Sequence, residues 1–414
     1  MSVIIVGGGI MGVSTAYYLS KRKVDTLIIE KEQLGSAASG RAGGFLAKDW
    51  CSHNEMDVLA QNGFDLHMKL ADEFGSACDY RRVNTYSISL SPGKSSGSSN
   101  SPSWVNAKVK NCSLIGDSTT TAQVHPKKLT DELFRRAQYL TNQGTKLKIA
   151  RVIGLEFSTS NTSAPKVSGV RVIESSTSNS EVIPASLVIL TTGPWSKEAV
   201  SWLPSGCLNP NKFHGRRAHS IILKPKIEKS PIDAKCLFMD YQNSEFSCSP
   251  EVYPRPDNTV YVCGLGDGAP VPSSKDQVEI ESWRCNRLKE IVTSVVPSLK
   301  DAEMITESAC YLPLVSDGYP VIGQIPGLSN VYIVTGNSCW GILTGPISGR
   351  LLTAVILKNN PNLIQSTNSN VTDQMELDEK KPKMIYYNNP VLTVVPGHSP
   401  GTEVAVAGLG PATK

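Results

Sequence analysis

The sequence predicts an α/β fold. A dinucleotide-binding Rossmann-type βαβ unit stands at the amino terminus, and a second, sheet-rich domain is inserted before the α/β pattern returns. Three observations carry this prediction. A β-branched run, Val3-Ile4-Ile5-Val6, breaks into Gly7-Gly8-Gly9-Ile10-Met11-Gly12, and the next apolar run closes on Glu30. The 414 residues exceed what one core ordinarily serves, so two domains are expected. Residues 213–312 are rich in β-branched and aromatic runs, whereas residues 318–358 resume strand and helix character.

Each part of the first unit has a physical task. Gly7 permits the tight turn, Gly9 lets a pyrophosphate approach the backbone, and Gly12 lets the helix lie close on the strand. The helix opening at Ile10 and Met11 directs its N–H groups and positive dipole end at phosphates. Val13, Ala16, Tyr17 and Leu19 form its apolar stripe. Glu30, followed by Lys31, can accept a hydrogen bond from an adenosine ribose hydroxyl, and its charge disfavours a 2′-phosphate, which argues against NADP.

Further along, Met56, Leu59, Ala60, Phe64, Leu66, Leu70 and Phe74 recur at helical spacing and predict a helix over 55–75. Residues 84–90 alternate and predict a strand; Ser91–Ser103 reads as a mobile loop. Pro126 opens a helix through Ala137. Val152–Phe157, Lys166–Val172 and Glu181–Ile183, separated by the polar stretches Ser158–Ala164 and Ser175–Ser180, predict a β-meander. Leu187–Leu190 is wholly apolar, the mark of a buried central strand. A helix is expected over Lys275–Val295, a strand over Val331–Thr335 and a helix over Gly345–Leu357. After Pro361 the chain is polar through about Lys383 and is expected to be disordered; Met384–Val395 suits one strand.

Hydrophobic residues make up 40% and charged residues 19%, with a net charge of +4, an ordinary globular balance. No basic block argues for nucleic acid. The ten cysteines form no CxxC pair, which supports neither a zinc site nor a dithiol couple. Cys236, Cys263 and Cys310 sit in strand-like runs and read as buried thiols. A reducing, cytoplasmic setting is expected, association with an organelle surface remaining open, because no leader is legible and no run approaches the roughly 20 apolar residues of a membrane span.

Three segments resemble the family of FAD-dependent amine and amino-acid oxidoreductases that includes D-amino-acid oxidase, glycine oxidase and sarcosine oxidase. Ser39-Gly40-Arg41-Ala42-Gly43-Gly44 is similar to its S-G-R-x-G-G stretch, a second set of phosphate contacts. Leu187–Leu190 followed by Thr191-Thr192-Gly193-Pro194-Trp195-Ser196 is similar to its strand ending in A-x-G-x-W-S. Asp317-Gly318-Tyr319-Pro320-Val321-Ile322-Gly323, then Val331–Thr335 and Gly336-Asn337-Ser338-Cys339-Trp340-Gly341-Ile342, is similar to D-G-x-P-x-I-G, a strand and G-x-x-x-x-G opening the last helix. Ala309-Cys310-Tyr311-Leu312-Pro313 and Cys339-Trp340-Gly341-Ile342 also resemble a poorly characterised eukaryotic subgroup.

The resemblance implies FAD and a glutathione-reductase-type FAD-binding Rossmann domain with an inserted antiparallel-sheet α+β substrate domain. Its boundaries would be 1–82, 123–212 and 316–360 for the FAD domain, 83–122 and 213–315 for the substrate domain, and 361–414 for a carboxyl-terminal extension. It implies oxidation of a C–N bond in a small amine or amino acid by hydride transfer to flavin N5. The acceptor is oxygen or another electron carrier, and a flavin-binding protein with an interaction or trafficking role is the alternative.

The family holds a substrate carboxylate with arginine, for which Arg255 and Arg217 are the candidates. Glycine-oxidase-like members carry an arginine where Leu312 stands, and sarcosine-oxidase-like members a lysine near the flavin, yet Val252–Gly264 holds none. His219 is a further candidate to orient substrate, Tyr253 to line the pocket, and Trp340 to pack near the flavin or fill the domain seam. Cys310, seven residues before Asp317, stands where some members attach flavin covalently.

Overall fold

The computed structural model describes residues 2–52, 54–90, 101–105, 109–141, 143–158, 165–174, 179–226, 232–242, 247–363 and 391–393. The loop expected over Ser91–Ser103, the two polar stretches of the meander and the polar tail after Pro361 therefore lie largely outside the described residues.

The chain opens with β1 (Val3–Val6), α1 (Ile10–Lys21), β2 (Thr26–Glu30), a short α2 (Ala38–Arg41) and β3 (Phe45–Ala47). Then come α3 (Asp57–Phe74), β4 (Arg81–Arg82), β5 (Asn84–Leu90), β6 (Val109–Gly116), β7 (Thr121–Gln123) and α4 (Pro126–Tyr139). β8 (Lys146–Ile149) precedes the expected meander, β9 (Arg151–Ser158), β10 (Lys166–Ile173) and β11 (Ser180–Pro184), then β12 (Leu187–Leu190) and α5 (Ser196–Ser201). The second half holds β13 (Phe213–Lys224), β14 (Lys235–Gln242), β15 (Ser247–Cys248), β16 (Glu251–Pro254), β17 (Val260–Asp267) and α6 (Ser282–Val295). It ends with β18 (Glu303–Val315), β19 (Val321–Gln324), β20 (Val331–Thr335), α7 (Gly341–Asn359) and β21 (Val391–Thr393).

The first sheet has the order β21-β19-β20-β12-β1-β2-β8. Its central pairs are parallel, with Val3 opposite both Leu187 and Thr26. Alternate side chains feed two cores. Val3, Ile5, Ile28, Leu187 and Ile189 point to the helical layer of α1, α3, α4 and α7. Ile4, Val6, Ile29, Val188 and Leu190 point to α5 and the meander. Both faces are covered, which is why these strands read as unbroken apolar runs. β21 joins the far edge against β19, so the segment after residue 360 contributes a strand.

The second sheet has the order β18-β13-β17-β16-β14-β5-β6. It was expected to be antiparallel, but β14 and β5 pair in parallel, with Leu237 opposite Tyr86. β5 and β14 enter from separate excursions of the chain, so no hairpin sets their relative direction. One face packs Leu237, Val252 and Val262 against Leu288, Ile291 and Val292 of α6. The other turns Cys236, Phe238, Tyr253 and Tyr261 toward Phe45 and Trp50 near the first sheet.

Two helices depart from expectation. Lys275–Gln277 is an isolated 3-10 turn and α6 begins only at Ser282. Lys275 binds Glu32 at 2.6 Å and Asp276 binds Lys31 at 3.1 Å, while Val278 is buried against Ala309 and Tyr311, which stretches the chain between them. α7 starts at Gly341, a turn earlier than expected, although Pro346 lies inside it. Proline has no N–H for the Ile342 carbonyl, and His67 Nε2 of α3 supplies the donor at 2.9 Å. Ser338–Asn359 is, among the described residues, the one helical segment long and apolar enough to cross a membrane. Here it is 61% buried and packs on α1 and α3.

Candidate active site

A long cleft runs along the carboxyl ends of β1, β2, β12 and β20, where open α/β sheets hold their ligands. The space between its walls, open mouth included, is about 1370 Å³. Gly7, Gly9, Ile10 and Met11 line it at one end, with Glu30 and Lys31 beside them. Ser39, Gly193 and Trp195 line its walls, and Gly336, Cys339, Gly341 and Ile342 its other end.

The glycine turn is built for close approach. Gly7 has φ of +109° and a Cβ there would meet the Thr191 carbonyl oxygen at 2.6 Å. Gly12 lies beneath the turn and outside the lining; a Cβ on it would come within 2.1 Å of the Gly7 carbonyl oxygen. Ser39 Oγ accepts from the Ile10 N–H at 2.9 Å, which fixes the start of α1. Glu30 accepts from the N–H groups of Gly8 at 2.7 Å and Glu32 at 3.1 Å. Burial raises its carboxyl above the usual range, and those N–H groups pull it back. Oxygen lone pairs remain for a ribose hydroxyl.

The residues present fit FAD. Neither α1 nor α7 has an acidic residue in its first turn, and apart from Ser39 Oγ on the Ile10 N–H no side chain caps them, so both positive ends face the cleft without a countercharge. Asn337 Oδ1 is buried without a partner, while its Nδ2 donates to Thr344 Oγ1 at 2.9 Å. A buried orphan acceptor in the cleft wall suits a ligand donor such as a flavin ring N–H.

Several expected contacts fall elsewhere. Arg41 does not line the cleft; its Nη1 donates to the Ala309 carbonyl at 2.5 Å, tying α2 to β18. Gly43 is pressed on Tyr253, where a Cβ would stand 2.3 Å from the ring, and Gly44 on the Val124 carbonyl. Both glycines serve packing between the sheets. Trp340 packs on the helical core rather than on the cleft.

Neither candidate arginine is aimed at the cleft. Arg217 is buried and paired with Asp267 at 2.8 Å and with Glu281. Arg255 is buried over the Tyr261 ring, 5.0 Å from its centroid, and donates to the Ala42 carbonyl at 3.3 Å. His219 is fully buried, with Nδ1 3.1 Å from the Leu265 carbonyl and Nε2 accepting from the Glu281 N–H at 3.1 Å. Its two ring nitrogens are engaged, so it serves the sheet. Tyr253 is buried on the aromatic face and donates to Glu251. Cys310 is buried on β18, outside the lining, and burial pushes its thiol up to about 11. Leu312, where an arginine was sought, does line the cleft.

Residues 273–275 also line the cleft, held over it by the Lys275–Glu32 and Lys31–Asp276 pairs. They carry no motif, and only the fold brings them to the βαβ unit.

A family model for FAD-dependent oxidoreductases (DAO) matches residues 2–355. A protein of Schizosaccharomyces pombe, named only as an oxidoreductase, is 28% identical over 390 residues, covering 86% of this chain and 94% of its own length. The structure of glycine oxidase from Geobacillus kaustophilus superposes with a TM-score of 0.69 at 17% identity, covering 88% of this chain and 98% of that one. Iminodiacetate oxidase from Chelativorans sp. BNC1 gives 0.67 at 17%, covering 86% and 95%. With a glycine turn, the Glu30 carboxylate and two helix starts converging on one cleft, the chain belongs to the DAO family of FAD-dependent oxidoreductases, and its cofactor is FAD.

Proposed function

We propose that this protein oxidises the C–N bond of a small amine or amino acid. The observation that carries the reading is the run of the cleft from Glu30 to Cys339, which ends at the start of α7 and passes Ala42, whose neighbour Gly43 is pressed on Tyr253 of the second sheet. FAD bound in the cleft supplies a hydride acceptor. The protein's part is to orient and desolvate the substrate, since the α-C–H must meet that acceptor and the nitrogen must be neutral to share its lone pair. The packed cluster of Phe45, Trp50, Phe238 and Tyr253 lies behind the cleft wall, against Gly43, and keeps water from that side, and the N–H groups at the start of α7 would stabilise negative charge on a reduced cofactor. The similar structures named as glycine oxidase and iminodiacetate oxidase support a C–N donor.

In this reading residues 1–82, 123–212 and 316–360 form the cofactor domain, and 83–122 with 213–315 the substrate domain. Val252–Gly264 on β16 and β17 presents tyrosines and a cysteine but no lysine, which favours a dehydrogenase passing electrons to an acceptor other than oxygen. The test is chemical. Incubation with a panel of amines and an artificial electron acceptor should release a carbonyl compound, trapped as its hydrazone, in equal amount to acceptor reduced. Acceptor reduction without carbonyl or amine product would place the chemistry on another bond.

A further inference from the structure

The face of the second sheet that packs on Phe45 and Trp50 carries an unusual carboxylate. Glu251 opens β16, opposite Phe238 of β14 and Cys263 of β17. It accepts hydrogen bonds from Tyr253 Oη and, at 3.5 Å, from Cys263 Sγ. Both donors are neutral, and among the described residues Glu251 forms no salt bridge. The cations nearby are committed elsewhere: Arg81 donates to Pro254 and Gln123, and Arg255 lies over Tyr261. Aromatic rings close round this position. Phe238 lies 5.8 Å from Tyr253, 5.1 Å from Phe45 and 4.7 Å from Trp50, and Phe45 stacks on Tyr253 at 5.5 Å.

This group borders open space. Glu251 and Cys263 retain accessible surface although β16 is flanked by paired strands and its face is covered by the α2–β3 segment. Cys339, which lines the cofactor cleft, is exposed, and the Glu251 charge bears on both thiols. Ala42 lines the cleft and the next residue, Gly43, lies against the ring of Tyr253, which donates to Glu251, so the carboxylate stands one residue layer from the cleft wall.

A carboxylate in such a place, with only neutral donors, lacks the counter-charge that would offset its desolvation. Ring faces add negative potential and attract cations. A substrate carboxylate would meet like charge there. We propose that Glu251, beside the half-buried rings of Phe45 and Trp50, recognises in its ammonium form an amine that carries no neighbouring carboxylate, the Glu251 carboxylate accepting the proton that must leave the nitrogen before oxidation. The proposal rests on the amine-oxidising reading above and narrows its substrate class.

The test uses a cation that cannot be oxidised by hydride loss from a lone-pair nitrogen. The FAD-loaded protein is titrated with tetramethylammonium chloride, with tert-butanol as a neutral control of similar size, and with sodium acetate, each followed by the flavin difference spectrum. Saturable binding of tetramethylammonium, about tenfold or more tighter than of tert-butanol, is expected. Glu251→Gln, with unchanged flavin content, should abolish that preference. Should Glu251→Gln fail to fold, the wild-type comparison decides alone. Binding of acetate in preference, or no saturable cation binding by FAD-loaded protein, overturns the proposal. If tetramethylammonium binds as expected while no amine reduces the flavin, the site stands and the amine-oxidation reading falls.

Discussion

Gly12 shows how one missing Cβ decides whether the cofactor can bind. Its would-be neighbour is a backbone oxygen, Gly7 O, which cannot move aside without reshaping the turn that approaches the phosphates. Gly12→Ala should cost about 1–3 kcal/mol of overpacking and cut flavin content several-fold, read as the ratio of flavin to protein absorbance. Cys310 illustrates the opposite outcome, a suggestive spacing without a matching position. Its thiol is held protonated by burial and lies outside the cleft lining. Denatured wild-type protein should release its flavin to the supernatant, and Cys310→Ser should retain normal flavin content. Flavin left on the precipitate would assign Cys310 a covalent role. The glycines and Glu30 were legible because backbone approach and hydrogen bonding demand those residue types. Arg41, Arg217, Arg255 and His219 were not, because the type of a polar residue does not say which partner the fold will give it. Ala309, Asp267, Ala42 and Leu265 are distant in sequence and settle those roles.

At the scale of elements, periodicity was a good guide wherever one face alone decides. β5, β12, β20, α3 and the meander lie where alternation or helical spacing puts them. The misreadings have tertiary causes: ion pairs stretch residues 275–281, and His67 compensates Pro346 at the start of α7. That compensation carries a pH dependence. Burial pushes the His67 pKa down to about 4 from its ordinary 6.5. Because the folded state prefers the neutral ring, its contribution is complete above the unfolded value and is lost as pH falls from about 6.5 towards about 4. The whole effect is about 3 kcal/mol. His67→Phe should flatten the fall in thermal midpoint across that window. It should also lower stability at neutral pH by about 1–3 kcal/mol, since the Ile342 carbonyl loses its donor. An unchanged acid slope in the variant would mean that another group sets it.

Across the whole molecule, the two sheets divide the work. The first carries the candidate cofactor cleft at its carboxyl edge, a place readable from the strand–glycine–helix order alone. The second contributes one face of aromatic and thiol side chains, and no short motif announces it, because its members come from β14, β16 and β17 and meet only through register. The parallel join of β5 to β14 was hidden for the same reason. Sequence thus located the cofactor more sharply than the substrate. The central claim is that the cleft presents FAD to an amine at the junction of the sheets. Anaerobic mixing of the yellow, FAD-loaded protein with a panel of small amines and amino acids, followed by rapid-scan absorbance, tests it most directly. The account predicts saturable bleaching of the oxidised flavin band by at least one amine; flavin that stays oxidised against the whole panel, yet is readily reduced by dithionite, would contradict it.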